Sequence, residues 1–128
     1  MKLTFSWQDA AGRETPCCSS VIVNKDGVSL LACLLMDDGG QGYLGTVPWI
    51  DEGIAKVDAV LGGEITEGNW DRDDWGAKLK SDEAVIYSLN DEDYKEVIDL
   101  TVLRRALVAW REFVQSVPDT NIKKEVEI

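Results

Sequence analysis

Histidine is absent from this chain of 128 residues, so it lacks the commonest general base and the commonest neutral metal ligand of proteins. Nucleophilic catalysis by a Ser–His or Cys–His pair is therefore excluded. Carboxylates remain available for acid–base chemistry. Because the chain has 24 acidic residues, some of them will lie close together by chance, and a carboxylate pair has little diagnostic value. We expect no enzymatic activity and no cofactor.

Cysteine is scarce, with Cys17, Cys18 and Cys33 as the only three. An odd number of cysteines, two of them adjacent, is a poor basis for disulfide bonds, because the bond demands a specific geometry. Cys33 lies in an apolar run, where burial raises the pKa of a thiol. We therefore expect three reduced thiols with a structural role, which is typical of a cytosolic chain.

Long apolar runs are also missing. No stretch approaches the ~18 apolar residues of a membrane-spanning helix, and the first residues lack the basic region, apolar core and cleavage site of a signal peptide. The expected compartment is the cytoplasm, and no membrane partner is expected.

Positive charge is in the minority, with 13 basic residues against 24 acidic ones and a net charge of −11. Residues 37–99 contain 17 acidic and five basic residues, a local net charge of −12, whereas the two flanking segments are nearly neutral. An acidic surface of this size repels nucleic acid and anionic membranes and accelerates association with basic proteins. The expected partner is therefore a basic protein, such as one that binds nucleic acid.

The length of the chain indicates a single domain over residues 1–128. Five tryptophans and 45% hydrophobic residues indicate a folded protein rather than a disordered acidic one. Near the start of the chain, Leu3, Phe5 and Trp7 alternate with polar residues, and this period of two predicts a strand over 2–7.

The next part of the chain predicts a loop followed by a hairpin. Residues 8–18 are expected to form a connecting loop. The Asp-Gly pair within residues 24–27 is a turn signal, and the apolar segments 20–23 and 28–36 on its two sides predict a β-hairpin.

Two principal helices are predicted from apolar stripes at spacings of three and four. The first covers about 48–61, with Pro48 in its first turn and a glycine pair after its end. The second covers 100–117 and is followed by Pro118. Leu107 and Trp110 are expected to be buried against the sheet. The two stripes comprise Ile50, Ile54, Val57 and Leu61 in the first helix, and Leu103, Leu107, Trp110, Val114 and Val117 in the second.

Between these helices, residues 64–74 are polar and are expected to form an exposed loop, and three β-rich segments predict a meander. Residues 122–128 alternate weakly and predict either an edge strand or a frayed end. The expected fold class is α+β, with a mainly antiparallel sheet built from two hairpins or a meander and packed with the two helices. The three segments of the meander are 75–80, 84–89 and 94–98.

Two acidic or glycine-rich segments resemble ligand-binding loops, but neither pattern is complete. An EF-hand register starting at Asn69 places Asp74 where a glycine is required and Lys80 where a glutamate is required. The glycines of residues 39–42 are not followed by the Lys-Ser/Thr pair of a phosphate-binding loop. We therefore expect solvated acidic loops and no metal.

Tryptophan beside acidic residues suggests a protein-binding surface. Trp7 and Trp110 lie on apolar faces and are expected in the core, whereas Trp70 lies outside any apolar stripe beside an acidic run, and Trp75 directly follows that run. Trp70 either contacts a partner, as rigid aromatic residues do at binding hot spots, or anchors its own loop to the core. The candidate partner-binding residues are Trp70, Asp71, Asp73, Asp74 and Trp75, with contributions from Asp37, Asp38, Asp91, Glu92 and Asp93.

The order of helix, meander and terminal helix over about residues 28–117 resembles that of small immunity proteins of bacterial contact-dependent growth inhibition and related polymorphic toxin systems. The segments that carry the resemblance are GYLGTVPWIDEGI, WGAKL, EAVIYSL and EDYKEVIDLTVLRRALVAWREFV. The resemblance implies a cytosolic protein that binds a cognate toxin domain, commonly a nuclease, and blocks its activity. The acidic charge independently favours a basic protein partner.

The expected function is therefore that of an immunity protein, which binds a basic toxin without contacting nucleic acid directly. A small-ligand-binding or regulatory domain is the first alternative, and it would require a concave apolar pocket with a few polar groups. A second alternative is a hydrolase that uses carboxylates alone or a metal ion, which would require a tight cluster of carboxylates.

Overall fold

The computed structural model describes all 128 residues and shows an α+β fold with two antiparallel sheets. The strands are β1 (Lys2–Ala10), β2 (Arg13–Ser20), β3 (Glu67–Asp71), β4 (Trp75–Lys80), β5 (Glu83–Ser88), β6 (Asp91–Asp99) and β7 (Lys123–Glu127). The helices are α1 (Leu30–Met36), α2 (Val47–Leu61) and α3 (Leu100–Val114), and a short 3-10 turn at Leu44–Thr46 precedes α2. The predicted fold class and the two principal helices are confirmed.

The first sheet has the strand order β2-β1-β7. Strands β1 and β2 form a hairpin whose two-residue turn, Ala11-Gly12, has φ angles of 53° and 82°, as hairpin turns that match the strand twist require. The loop predicted over residues 8–18 is therefore wrong. Beyond the core, both strands continue with polar residues. The tip of the hairpin therefore shows no alternation of apolar and polar residues that would predict strands. The weak alternation near the end of the chain is β7, an edge strand.

The hairpin predicted over residues 20–36 is also wrong, because its second half is helix α1. Ser29 caps this helix, since its side chain accepts a hydrogen bond of 3.2 Å from the Ala32 N–H. Five of the seven residues of α1 are buried, and a fully buried apolar run has no period that separates helix from strand. The turn at Gly27, with φ of 77°, leads into the helix instead of into a strand.

The second sheet is a meander with the order β3-β4-β5-β6. Strands β4, β5 and β6 confirm the predicted meander, although β6 begins at Asp91, three residues earlier than predicted. Strand β3 lies within residues 64–74, where an exposed loop was predicted. That prediction is wrong for Glu67–Asp71, which pair with β4 so that Trp70 lies opposite Ala77.

The core lies between the two sheets and the three helices. Leu107 and Trp110 are buried as predicted, and the Trp110 ring meets Phe5 of β1 edge-on with ring centroids 5.1 Å apart. Helix α3 ends at Val114, and Val117 is 85% exposed. No helix of the protein is long and apolar enough to cross a membrane.

Candidate functional site

The carboxylate of Asp37 joins two acidic segments that are far apart in sequence. Asp37 is the C-cap residue of α1, and its Oδ2 atom accepts three backbone hydrogen bonds from the turn between β3 and β4. The donors are the N–H groups of Asp73 (3.1 Å), Asp74 (2.8 Å) and Trp75 (3.1 Å). Asp37 therefore orders the tight turn that presents Asp73 and Asp74.

The loop after α1 packs closely on the same turn. Asp38 accepts a hydrogen bond of 2.8 Å from the Gly40 N–H. A Cβ atom at Gly39 would lie 3.5 Å from the Cβ of Asp73 and 3.5 Å from the Trp49 ring, and Gly39 has a φ of 59°. Glycine suits this position because of its positive φ, whereas an added Cβ atom would make only ordinary van der Waals contacts.

The third acidic segment reaches the same end of the meander. Ser88 of β5 pairs with both Trp75 and Asp91, and the Leu89 N–H donates to the Asp74 carbonyl at 3.0 Å. The turns β3–β4 and β5–β6 are therefore neighbours, as alternate turns of a meander must be. We call this region the acidic end, and define it as Asp37, Asp38, Asp73, Asp74, Asp91, Glu92 and Asp93.

Most carboxylates of the acidic end face solvent. Asp73, Asp74, Asp91, Glu92 and Asp93 are all exposed, and Asp37 and Asp38 are half-buried. Within this group, Glu92 forms an ion pair of 3.5 Å with Lys78. Such exposed pairs contribute little to stability, so Glu92 would lose little by leaving Lys78.

Asp71 and Trp75 occupy different faces of the sheet. Asp71 is exposed, and its side chain accepts a hydrogen bond of 3.2 Å from the Tyr87 hydroxyl. Burial raises the pKa of Tyr87, and the Asp71 carboxylate raises it further. Trp75 is half-buried and packs against Tyr94, with ring centroids 6.3 Å apart.

Trp70 does not belong to the exposed surface. It is 1% exposed, and its Nε1 donates a hydrogen bond of 3.0 Å to the Trp49 carbonyl in α2. Of the two interpretations drawn from the sequence, the one that anchors the segment to the core is correct. The proposed role of Trp70 as an exposed partner contact is wrong. The sequence did not predict strand β3 because only Gly68 precedes Trp70 on the inward face of this strand. Glycine adds no apolar side chain, so no alternation of apolar and polar residues is visible.

Arg72 is a functional candidate that the sequence did not single out. It is 5% exposed, and its guanidinium lies between two indoles, 4.9 Å from the Trp49 ring centroid and 5.0 Å from that of Trp70. None of its three side-chain nitrogens has a hydrogen-bond partner. The sequence feature that could have identified it is a single arginine within an acidic run that follows a tryptophan.

The charge of Arg72 persists despite its burial. Burial lowers the pKa of its guanidinium to about 10, and the nearby carboxylates of Asp37 and Asp38 oppose that shift. The group is therefore protonated at neutral pH. A buried cation beneath the acidic end partly offsets the mutual repulsion of the carboxylates above it. Arg72 thus couples the buried indoles to the acidic surface.

The cysteines lie beside the site without forming part of it. All three are free. Burial raises the pKa of Cys18 to about 12, with further contributions from Cys17 and Cys33, and burial also raises the pKa of Cys33. Thiols with raised pKa values are poor nucleophiles, as the apolar context of Cys33 predicted.

Two cavities adjoin the acidic end. The larger, of about 670 Å³, lies between the β1–β2 turn and the loop before α2, and ten of its 12 lining residues are not hydrophobic. The smaller, of about 310 Å³, lies between residues 37–40 and residues 73–75. No group of three or more His, Cys, Asp or Glu side chains is arranged to hold a metal ion.

Comparison with known proteins found no matching family model, no matching curated protein and no matching solved structure.

Proposed function

We propose that this protein is a cytoplasmic immunity protein that binds a basic toxin domain, such as a nuclease, through its acidic end and thereby neutralises it. One observation carries the proposal: three acidic segments that are separate in sequence meet at one end of the meander, where Asp37 bonds the turn of Asp73 and Asp74. Charges of one sign gathered on one surface favour fast association with a surface of the opposite sign.

Neutralisation follows from competition for the same surface. A nuclease holds its polyanionic substrate mainly through lysine and arginine contacts to phosphates. An acidic protein surface that pairs with those residues would exclude the substrate, whether or not it reaches the catalytic groups. The exposed carboxylates of Asp73 and Asp74 suit this role, because neither side chain has a protein partner that it would have to give up.

A small-ligand-binding or regulatory domain is the alternative function. The cavity of about 670 Å³ has a size suited to a small ligand. Its lining is dominated by glycine and polar residues, however, whereas small-molecule sites are mostly apolar. The acidic end therefore gives the immunity function more support than the cavity gives the alternative.

The proposal can be tested by the kinetics of binding to the toxin domain encoded beside the gene. The variant D73N/D74N removes two charges from the acidic end. It should associate several-fold more slowly, with a weaker dependence on salt and a nearly unchanged dissociation rate, because exposed charges mainly govern encounter.

The matched control is E64Q/E67Q, which removes two exposed carboxylates at the opposite end of the meander. Its association rate should stay close to that of the wild type. Equal slowing in both variants would show a general charge effect without a defined site. An unchanged rate for D73N/D74N would place the interface elsewhere.

A further inference from the structure

Strand β6 forms one outer edge of the meander and is nine residues long. An edge strand presents a row of unpaired backbone N–H and C=O groups, on which another chain can pair. Six of the nine residues of β6 are exposed, and Val97 is 54% exposed. The register shifts between Tyr87 and Ser88, so the regular part of this edge is Lys95–Asp99, and Asp91–Tyr94 form an irregular segment that links it to the acidic end.

The hydrogen-bond pattern shows which backbone groups of β6 are free. The Leu100 N–H donates to the Asp82 carbonyl at 2.9 Å, one step beyond the paired residues Glu83 and Asp99. In an antiparallel ladder, bonded positions alternate with positions whose N–H and C=O point away. Leu100 is therefore a bonded position, and the bonded positions two and four residues before it are Ile98 and Glu96, whose backbone groups face β5. The backbone groups of Val97 and Lys95 therefore point outward.

The opposite edge of the meander confirms this alternation. The Arg72 N–H donates to the Trp75 carbonyl, so Arg72 is a bonded position of this ladder. Because bonded and outward-pointing positions alternate, the carbonyls of Asn69 and Asp71 point away from β4. Both carbonyls are in fact bonded from α2, by Lys56 Nζ at 2.7 Å and by Trp49 Nε1 at 3.1 Å. The edge of β3 is thus blocked, whereas no strand pairs with β6 on the side to which Lys95 and Val97 point.

The edges of the other sheet are also less suitable for a basic strand. Strand β2 packs beside α1, and the Cys18 N–H is directed to the Met36 sulfur at 3.3 Å. Strand β7 begins with Lys123 and Lys124, which would repel basic residues. The regular part of β6, Lys95–Asp99, is therefore the edge that remains open.

The surroundings of β6 leave room for an added strand. A cavity of about 320 Å³ lies beside its second half, and the exposed aliphatic segment 21–23 ends at Asn24, whose side chain donates to the Tyr94 hydroxyl of β6 at 2.8 Å. Apolar surface next to an open edge can receive side chains of an incoming strand. The cavity is lined by Met1, Glu83, Val97, Ile98, Asp99 and Val102.

The charge of β6 indicates which strand it would accept. Its sequence, DEDYKEVID, holds five carboxylates and one lysine; four of the carboxylates are exposed, and Glu96 is half-buried and accepts a hydrogen bond from the Leu31 N–H. A second copy of β6 would bring like charges together, which destabilises cross-strand pairs, whereas a basic strand would form favourable pairs. We propose that the outer edge of β6 binds an extended basic segment of the partner by strand addition. The identity of the partner rests on the proposed function, but the mode of binding can be tested separately.

The test uses a short synthetic peptide of alternating lysine and valine, with backbone hydrogen exchange of the intact protein followed by NMR. Without the peptide, the amides of Lys95 and Val97 should exchange rapidly, and those of Glu96 and Ile98 slowly. With the peptide, the Lys95 and Val97 amides should become protected. Protection only at other sites, or none, overturns the inference.

Two variants with a matched control make the test specific. Val97→Pro removes one outward N–H, which an edge strand tolerates, and should abolish the protection at Lys95. Val97→Lys keeps the N–H but adds a charge that repels the peptide, and should weaken peptide binding at least several-fold. Val97→Thr should bind like the wild type. Equal binding by all three variants would contradict strand addition.

Two further results separate this inference from the proposed function. If the Lys95 and Val97 amides are protected before peptide is added and the protein is dimeric, the edge belongs to a second copy and the inference fails. If the peptide binds at β6 but the wild-type protein protects cells against no neighbouring toxin, the inference holds and the immunity function fails.

Discussion

Gly53 of α2 lies directly against the indole of Trp70, so that a Cβ atom at Gly53 would stand 2.6 Å from Trp70 Cε2. Alanine in the middle of a helix is ordinarily better than glycine by about 0.5–1 kcal/mol. Here the added methyl group would force the indole or the helix to move, at a cost of roughly 1–3 kcal/mol. Gly53→Ala should therefore lower the free energy of unfolding.

A double-mutant cycle checks the cause of that loss. Trp70→Phe shortens the ring system and should itself destabilise the protein, because the indole is buried. The combined variant should be more stable than the sum of the two single effects implies, since the smaller ring relieves the clash. Additive effects in urea unfolding would show that the loss at Gly53 does not arise from its contact with the Trp70 indole.

Asp37 should matter more for stability than the acidic residues that it positions. Its carboxylate accepts three backbone hydrogen bonds from the β3–β4 turn, and each charge-assisted bond contributes roughly 1.5–3 kcal/mol. Asp37→Ala should lower the free energy of unfolding by about 2 kcal/mol or more. Asp74→Ala removes an exposed side chain and should change it by less than about 0.5 kcal/mol. Equal effects would contradict the anchoring role.

The charge of Arg72 should contribute little to stability, although its side-chain volume should contribute much. A pKa of about 10 for Arg72 means that the folded protein disfavours the charged guanidinium by roughly 3 kcal/mol relative to water. Cation–π contacts with two indoles offset a similar amount. Arg72→Met, which keeps the volume, should stay within about 1 kcal/mol of the wild type.

Arg72→Ala is the comparison that isolates the packing contribution. It leaves a cavity between Trp49 and Trp70, and should cost about 2–4 kcal/mol, as other large truncations in cores do. If thermal and urea unfolding show Arg72→Met to be as unstable as Arg72→Ala, the buried charge itself holds the two indoles together.

Glu96 should make stability depend on pH. It is half-buried beneath the start of α1, where its Oε2 accepts a hydrogen bond of 3.1 Å from the Leu31 N–H. Burial raises its pKa in the folded protein, and the hydrogen bond only partly opposes this. A carboxyl group with a raised folded pKa supports stability while it is protonated, and that contribution is lost as the pH rises through the raised value.

Glu96→Gln should therefore have a higher Tm than the wild type at pH 7, and the difference should shrink as the pH falls below the ordinary glutamate pKa. Glu112→Gln, an exposed change on α3, should show no such trend. A Tm advantage for Glu96→Gln that is the same at acidic and neutral pH would contradict the role of burial.

Much of the fold could be predicted from sequence because its periodic elements are amphipathic. The stripe through Leu103, Leu107 and Trp110 is buried on one side of α3, so its period of three and four was visible. Helix α1 was misread for the opposite reason. Its residues Leu30–Met36 are buried on nearly every side, and such a run has no polar face to reveal its period.

The candidate site could be predicted in part. The acidic segments were identified from local charge, but their meeting at one end of the meander depends on the bonds of Asp37 to a turn 36 residues away. The position of Arg72 depends on two indoles from different elements, Trp49 of α2 and Trp70 of β3. Such long-range relationships leave no pattern within a local stretch of sequence.

The measurement that tests the central claim most directly is survival of cells that co-express this protein with a candidate toxin domain from a neighbouring gene. The wild type and E64Q/E67Q should protect the cells fully. A variant with Asn at Asp38, Asp73, Asp74, Asp91 and Asp93 should remain folded and lose protection. Full protection by that variant would place the interface outside the acidic end, and no protection by the wild type would contradict the immunity function.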